Sequence, residues 1–267
     1  MDDQSHVVTT FHPPVTGSRL LRDFARLGLD EKMTLLVHAS LRSLGWVCGG
    51  TQAVIESLMR IISAKGTLVM PTQSFDLSEP SYWKRPPVPQ EWWPVIRQEL
   101  PAYHRDKTPT RGMGAIAEAF RTFPGVVRSS HPHVSFAAWG KRKNEIIAWH
   151  PLDFPLDWDS PLGRLYQLDA HVLLLGVSYD SNTSFHLAEY GAKRHGIIYQ
   201  GAPIIEDGCR VWKTYRDLDL APAAQLLRLG EEFESACTVR VGTVGHATAR
   251  LFKLKDAVDF AGQDIIQ

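Results

Sequence analysis

Hydrophobic positions change their spacing along the chain, and each change marks an element. Leu20, Leu21, Phe24, Ala25 and Leu27 recur at helical intervals after Thr16-Gly-Ser, which predicts an amphipathic helix. The run Met33-Thr-Leu-Leu-Val-His-Ala-Ser is apolar without a helical period and predicts a buried strand. Gly49 and Gly50 supply a turn, Thr51 stands as the N-cap of a helix through Val54, Ile55, Leu58, Met59, Ile61 and Ile62, and Gly66 ends it. Thr67-Leu-Val-Met-Pro then predicts a second strand. Strand, helix and strand within about 40 residues fit a right-handed parallel crossover, so the first third is α/β.

Residues 73–110 break this pattern. Five of the 17 prolines lie between Pro80 and Pro94, interleaved with Trp83, Trp92 and Trp93, which predicts a long ordered excursion of the kind that serves a site. Gly114–Phe120 predicts a helix and Val134–Gly140 a strand, together a third crossover. His171-Val-Leu-Leu-Leu-Gly-Val is the strongest buried strand, and Ser181-Asn-Thr-Ser leads from it into a helix carrying Phe185, Leu187, Ala188 and Tyr190. Beyond it, alternation at 197–200, 203–206, 210–215, 238–241 and 247–252 predicts antiparallel strands, with a helix over 221–234. No linker or repeat divides the chain, so residues 1–267 are expected to form a single domain.

Composition narrows the function classes. Lysine plus arginine equals aspartate plus glutamate at 29 each, so no global field gathers nucleic acid or anionic lipid, and a charged ligand must be met by a local pocket. Neither a nucleic-acid nor a membrane partner is expected. Three cysteines without a CxxC argue against a disulfide scaffold and a cysteine zinc site. MDDQSHVVTTFHPP has no basic start or apolar run of the secretory kind. A cytoplasmic location follows as the expectation.

The segment Gly176–Tyr190 is the richest in chemistry, because a buried strand breaks there into a polar loop and a helix. His186 falls in the first turn of that helix and Glu189 one turn on, on the same face. A carboxylate beside an imidazole fixes its tautomer and stabilises the charge it gains on taking a proton. The same His-x-x-Glu spacing also occurs as an ordinary polar helix start. His38 lies near the end of an apolar strand, where an unpaired polar group is costly; it reads either as a hydrogen-bonded core histidine or as a wall of the site. Ser40, Leu41, Arg42 and Ser43 after it offer donors to an anion. Thr108, Thr110, Arg111, Gly112, Met113 and Gly114 precede a helix start, which suits a phosphate, or else form a plain glycine turn. Glu118 is a second candidate carboxylate. Asp76, Glu79 and Asp180 could attract a cation, although solvation explains each singly. The pair His131 and His133 lacks further ligands at a recognisable spacing and has Pro132 between them, so no metal is expected. No GxSxG elbow for a serine hydrolase occurs.

Taken together, VHASLRSLGWVCGG at 37–50, PTQSFDLSEP at 71–80, RPPVPQEWWPVIR at 85–97, TPTRGMGAIAEAFR at 108–121, RSSHPHVSFAAWG at 128–140 and SPLGRLYQL through SNTSFHLAEY at 160–190 resemble the aminoglycoside 3-N-acetyltransferase family. The resemblance implies a three-layer α/β/α fold with a mixed sheet and an antiparallel C-terminal portion. It also implies acetyl transfer from acetyl-CoA to a primary amine of a 2-deoxystreptamine antibiotic, without a metal. His186 would be the general base, with Glu189 first and Glu118 second as its partner. His38, Ala39 and Ser40 to Ser43, with Thr108, Thr110 and Arg111 to Gly114, would hold acetyl-CoA. Asp76, Glu79, Asp180 and Asn182 would face the aminoglycoside. An acyltransferase of the same scaffold serving another amine is the nearer alternative, and a CoA- or sugar-binding module without catalysis the more distant one. A monomer or homodimer is expected.

Overall fold

The computed structural model describes residues 13–84, 86–192 and 196–266. Most of the N-terminal segment read above for export, residues 1–12, lies outside them, as does Arg85 of the proline-rich stretch.

The first third follows its hydrophobic pattern. Helix α1 (Gly17–Leu27) starts where Thr16 Oγ1 accepts from Arg19 N, and ends at Gly28 in the left-handed conformation. Strands β1 (Thr34–Ala39) and β2 (Thr67–Pro71) flank α2 (Gly50–Ile62) and pair in parallel, Thr34 opposite Thr67. Thr51 is not the cap of α2: left-handed Gly49 precedes the helix, which starts at Gly50 and ends at Ile62, before Gly66. The excursion contains α3 (Trp93–Glu99), and beyond it come α4 (Gly114–Arg121), β3 (Val127–Arg128), β4 (Phe136–Gly140), α5 (Lys143–Ile147), α6 (Pro161–Gln167), β5 (His171–Leu175) and α7 (Ser184–Ala192). The chain finishes with β6 (Ile197–Glu206), β7 (Cys209–Leu218), α8 (Ala223–Ala236), β8 (Arg240–Val244), β9 (Ala247–Lys253) and α9 (Leu254–Ile266).

Seven strands form one mixed sheet in the order β3-β4-β2-β1-β5-β9-β8. Its centre, β2-β1-β5, is parallel, while β4 runs antiparallel to β2, and β9 to β5. The expected third crossover is therefore corrected: the apolar run after residue 134 returns beside β2 in the opposite direction. Both faces of the centre are covered, which is why its strands read as unbroken apolar runs. Leu36, Val172 and Leu174 meet α5 to α9 through Ile146, Leu162, Phe185, Phe233 and Val258. Leu35, Val37, Leu173 and Leu175 meet α1, α2 and α4 through Leu20, Phe24, Leu58 and Phe120. The three layers and the antiparallel C-terminal portion stand as expected. Among the described residues no helix is long and apolar enough to cross a membrane.

β6 and β7 form a separate hairpin. Residues 197–200 and 203–206 belong to one strand, not two, because Pro203 turns its main chain away from β7 and accepts from Tyr103 N (3.0 Å), so its missing N–H breaks no ladder bond. The excursion is tied down at both ends. Glu79 takes two hydrogen bonds from Arg97 (2.5 and 3.1 Å), and Arg210 of β7 donates to Arg97 O and Leu100 O. At its base, buried Arg128 spends its guanidinium on Thr72 O (2.5 Å), Thr108 O (2.5 Å), Ser74 Oγ and Ser135 Oγ.

The turn behind β4 is pinned by two buried neutral histidines. His131 Nδ1 accepts from Val134 N while its Nε2 donates to Leu152 O, and His150 Nε2 donates to Pro155 O (2.8 Å). Burial holds His150 down at about 3 and His131 well below its ordinary value. An unfolded histidine binds its proton near pH 6.5, so the stability these rings contribute is full above that pH and is lost as pH falls toward their folded values. Each is expected to cost about 1.4 kcal/mol per pH unit below 6.5. Thermal unfolding should show a midpoint that drops steeply from pH 6.5 to pH 5; a flat midpoint over that interval would contradict this.

Candidate active site

The carboxyl ends of β1, β2 and β5 release the chain into polar loops at one edge of the sheet, the usual position for a ligand in this class of fold. The loops, with the excursion and the β6–β7 hairpin, enclose a cavity of about 1000 Å³. Two glycines set its walls. Gly176 ends β5 at φ +69°, and a Cβ there would lie 2.5 Å from Ser43 Cβ. Gly112 has φ +81°, and a Cβ there would strike the ring of Phe75 at 2.8 Å.

His186 enters this cavity from the first turn of α7. Its Nδ1 is hydrogen-bonded to Glu189 Oε2, whose other oxygen accepts from Ala221 N (2.6 Å). Glu189 is buried, so its carboxylate is held by these contacts rather than by bulk water. A carboxylate only accepts, so the shared proton belongs to Nδ1 of the neutral ring and Nε2 keeps its lone pair. Asn182 closes the start of the helix, its Oδ1 accepting from Ser184 N (3.3 Å) and Ser184 Oγ (2.7 Å).

Of the residues singled out in the sequence, His38, Ala39, Ser40, Leu41, Arg42, Gly112, Met113, Gly114, Asp180 and Asn182 line the cavity with His186. Ser43 lies behind this wall, with its Oγ 2.8 Å from Gly176 O and 3.0 Å from Ser40 Oγ. Thr108, Thr110 and Arg111 do not line it. Thr108 gives its carbonyl to Arg128, Thr110 N donates to Glu118 (2.7 Å), and Arg111 faces Asp76 at 3.5 Å. Glu118 is not brought to His186: its carboxylate is taken by Arg121 and Thr110, which corrects the second choice of partner. Asp76 and Glu79 do not line the cavity either; Asp76 is exposed beside Arg111, and Glu79 is paired with Arg97.

Three further lining residues, Gln200, Asp217 and Asp219, come from segments with no motif, and His133 of the His131–His133 pair lines the cavity with them. Asp217 was signalled only by parity, a charge on the same inward-facing positions of β7 as Tyr215. It accepts from Tyr190 Oη and from Leu218 N (2.8 Å). The lining thus includes three acids, Asp180, Asp217 and Asp219, and the cation Arg42.

The aminoglycoside 3-N-acetyltransferase family model matches residues 36–265. The chain belongs to the aminoglycoside 3-N-acetyltransferase family. It is 52% identical over 254 residues to the SPbeta prophage-derived aminoglycoside N(3')-acetyltransferase-like protein YokD of Bacillus subtilis (strain 168), covering 95% of this chain and 92% of that one. It is 36% identical to aminoglycoside N(3)-acetyltransferase IX of Micromonospora chalcea, covering 93% and 92%. Among solved structures, the YokD crystal structure superposes with a TM-score of 0.96 at 49% identity, covering 98% and 97%. AAC-IIIb in a binary complex with CoASH gives 0.84 at 26%, covering 95% and 97%, and AAC-VIa bound to sisomicin gives 0.85 at 28%, covering 95% and 98%. This family member therefore shares its fold over nearly its whole length with acetyltransferases solved with a thiol cofactor and with an aminoglycoside.

Burial pushes Asp217 up to about 6 against an ordinary 3.8. The folded state therefore favours the neutral acid: the associated stability is present below about pH 4 and lost as pH rises through about 6. Two pH units correspond to about 3 kcal/mol. Asp217→Asn keeps an acceptor for Tyr190 and Leu218 without the charge. Its unfolding midpoint should exceed that of the native protein by more at pH 8 than at pH 4; equal differences at the two pH values would refute the assignment.

Proposed function

We propose that the protein transfers the acetyl group of acetyl-CoA to the 3-amino group of the 2-deoxystreptamine ring of an aminoglycoside, and so confers resistance. The observation that carries this is the His186–Glu189 pair, whose imidazole lines a cavity that also holds Asp180, Asp217, Asp219, Ser40, Arg42, Gly112 and Gly114. An ammonium cannot attack a thioester, so a base must take a proton from the amine. His186 Nε2 is that base, and Glu189 stabilises the imidazolium that results. The nitrogen–carbon bond forms first, with the carbonyl electron pair moving to oxygen; the carbon–sulfur bond then breaks, the CoA thiolate leaves, and the amine proton rests on the ring. Asp180, Asp217 and Asp219 attract and orient the polycation. Ser40 to Arg42 and Gly112 to Gly114 hold the donor, with Arg42 toward its phosphates. Transfer is direct, because Cys48, Cys209 and Cys237 are free thiols and none lines the cavity. The chain acts as one domain in the cytoplasm, as a monomer or homodimer.

One observation favours a second reading, in which the acceptor is another primary amine: the relative at 52% identity is described only as acetyltransferase-like. Both readings share the donor and the base, and differ in the acceptor.

A thiol-release assay with acetyl-CoA over a panel of aminoglycosides and unrelated amines separates them. Release is expected with 2-deoxystreptamine aminoglycosides, and His186→Ala is expected to lower kcat by roughly 10²–10⁴-fold. Release with unrelated amines alone would transfer the assignment to the second reading.

A further inference from the structure

Buried polar atoms without partners are rare in native proteins, and each calls for an explanation. Among such atoms are His38 Nε2 and Asn182 Nδ2, which no described residue satisfies. Both residues are nine-tenths or more buried, and both line the cavity that holds His186. They come from adjoining parts of the fold. His38 sits on β1 opposite Leu174 of β5, and Asn182 lies on the loop that leaves β5 and starts α7. Leaving two such groups unsatisfied beside one cavity costs about 1–3 kcal/mol each, a cost that a ligand oxygen would remove.

We propose that His38 Nε2–H and Asn182 Nδ2–H are the donors to the acetyl-CoA carbonyl oxygen as it becomes an oxyanion. The inference rests on the acetyl-transfer reading above. The amide of Asn182 cannot be turned round, because Oδ1 is already used twice by Ser184; the NH2 group is the end left over. His38 lies close enough to His186 for the charges of the two rings to interact. Burial keeps His38 uncharged at neutral pH, which suits a hydrogen-bond donor and unfits it to carry the proton.

In the reaction the amine nitrogen bonds to the carbonyl carbon and the C=O electron pair moves to oxygen, where the two N–H groups receive it. The pair then returns, the carbon–sulfur bond breaks, and the thiolate leaves. The proton of the amine is on His186. Donors of this kind act where charge develops and belong to the transition state more than to binding.

The test uses acetyl-CoA labelled with ¹³C at the carbonyl, whose stretch is read by infrared spectroscopy on the bound complex. His38→Leu removes the donor, His38→Gln returns an N–H near the Nε2 position, and Asn182→Asp keeps the acceptor that caps α7 while removing the amide. The stretch is expected to move to higher frequency in His38→Leu and Asn182→Asp and to return toward the native value in His38→Gln. With an aminoglycoside acceptor, kcat should fall on the order of 10²-fold in the first two, with the KM for acetyl-CoA within a few-fold. The unfolding midpoint of His38→Leu should not fall, since an unpaired polar group has been removed. Native frequency and native kcat in His38→Leu and Asn182→Asp would overturn the inference. A native protein that polarises the bound carbonyl yet acetylates no aminoglycoside supports this inference while removing the acceptor assignment; one that binds no acetyl-CoA overturns both.

Discussion

A single buried carboxylate organises this site. Glu189 is fixed by Ala221 N on one oxygen and spends the other on His186 Nδ1, so the imidazole has one tautomer available and one nitrogen left for chemistry. Leaving a charge of this kind unpaired in the protein interior would be expensive. The helix that carries both residues is in turn started by Asn182 and docked through Phe185, Leu187 and Tyr190 into the core beneath the sheet. The position of the imidazole is thus set by packing well outside the cavity.

The rest of the molecule builds a cavity in front of that ring. Three parallel strands end at one edge and supply two of its walls. The excursion and the hairpin supply another, locked together by Arg97, Glu79 and Arg210 and fixed to the sheet by Arg128. Arg128 hydrogen-bonds to carbonyl and hydroxyl oxygens and so captures the main chain at Thr72 and Thr108, which bracket the excursion. A small close approach completes the β5–α7 loop: Gly230 of α8 leaves room for the Tyr179 ring, which a Cβ would meet at 2.0 Å. Tyr179 begins the turn that carries Asp180 into the cavity.

Much of this was legible in the amino-acid order, for identifiable reasons. The central strands are buried on both faces, and the His186–Glu189 spacing is local, so periodicity and helical geometry reveal them. Strand direction is not encoded in periodicity, which is why β4 was expected to be parallel. Helix α9 was missed although Leu254, Ala257, Val258 and Ala261 carry a helical spacing. Which acids reach the cavity was only partly legible, because charge can be read from sequence whereas its partners cannot: Asp180 lines the cavity, Asp76 and Glu79 meet arginines outside it, and Asp217 and Asp219 are brought to it by a hairpin whose docking is non-local.

The claim on which this account stands is that Glu189 holds the proton of the neutral His186 ring on Nδ1. It is tested most directly by ¹⁵N NMR of histidine-labelled protein, with the His186 signals assigned by their loss in His186→Ala. The account predicts a protonated Nδ1 and a bare Nε2 in the neutral ring, with this preference lost in Glu189→Gln. A neutral ring protonated on Nε2, or a tautomer unaffected by Glu189→Gln, would contradict it.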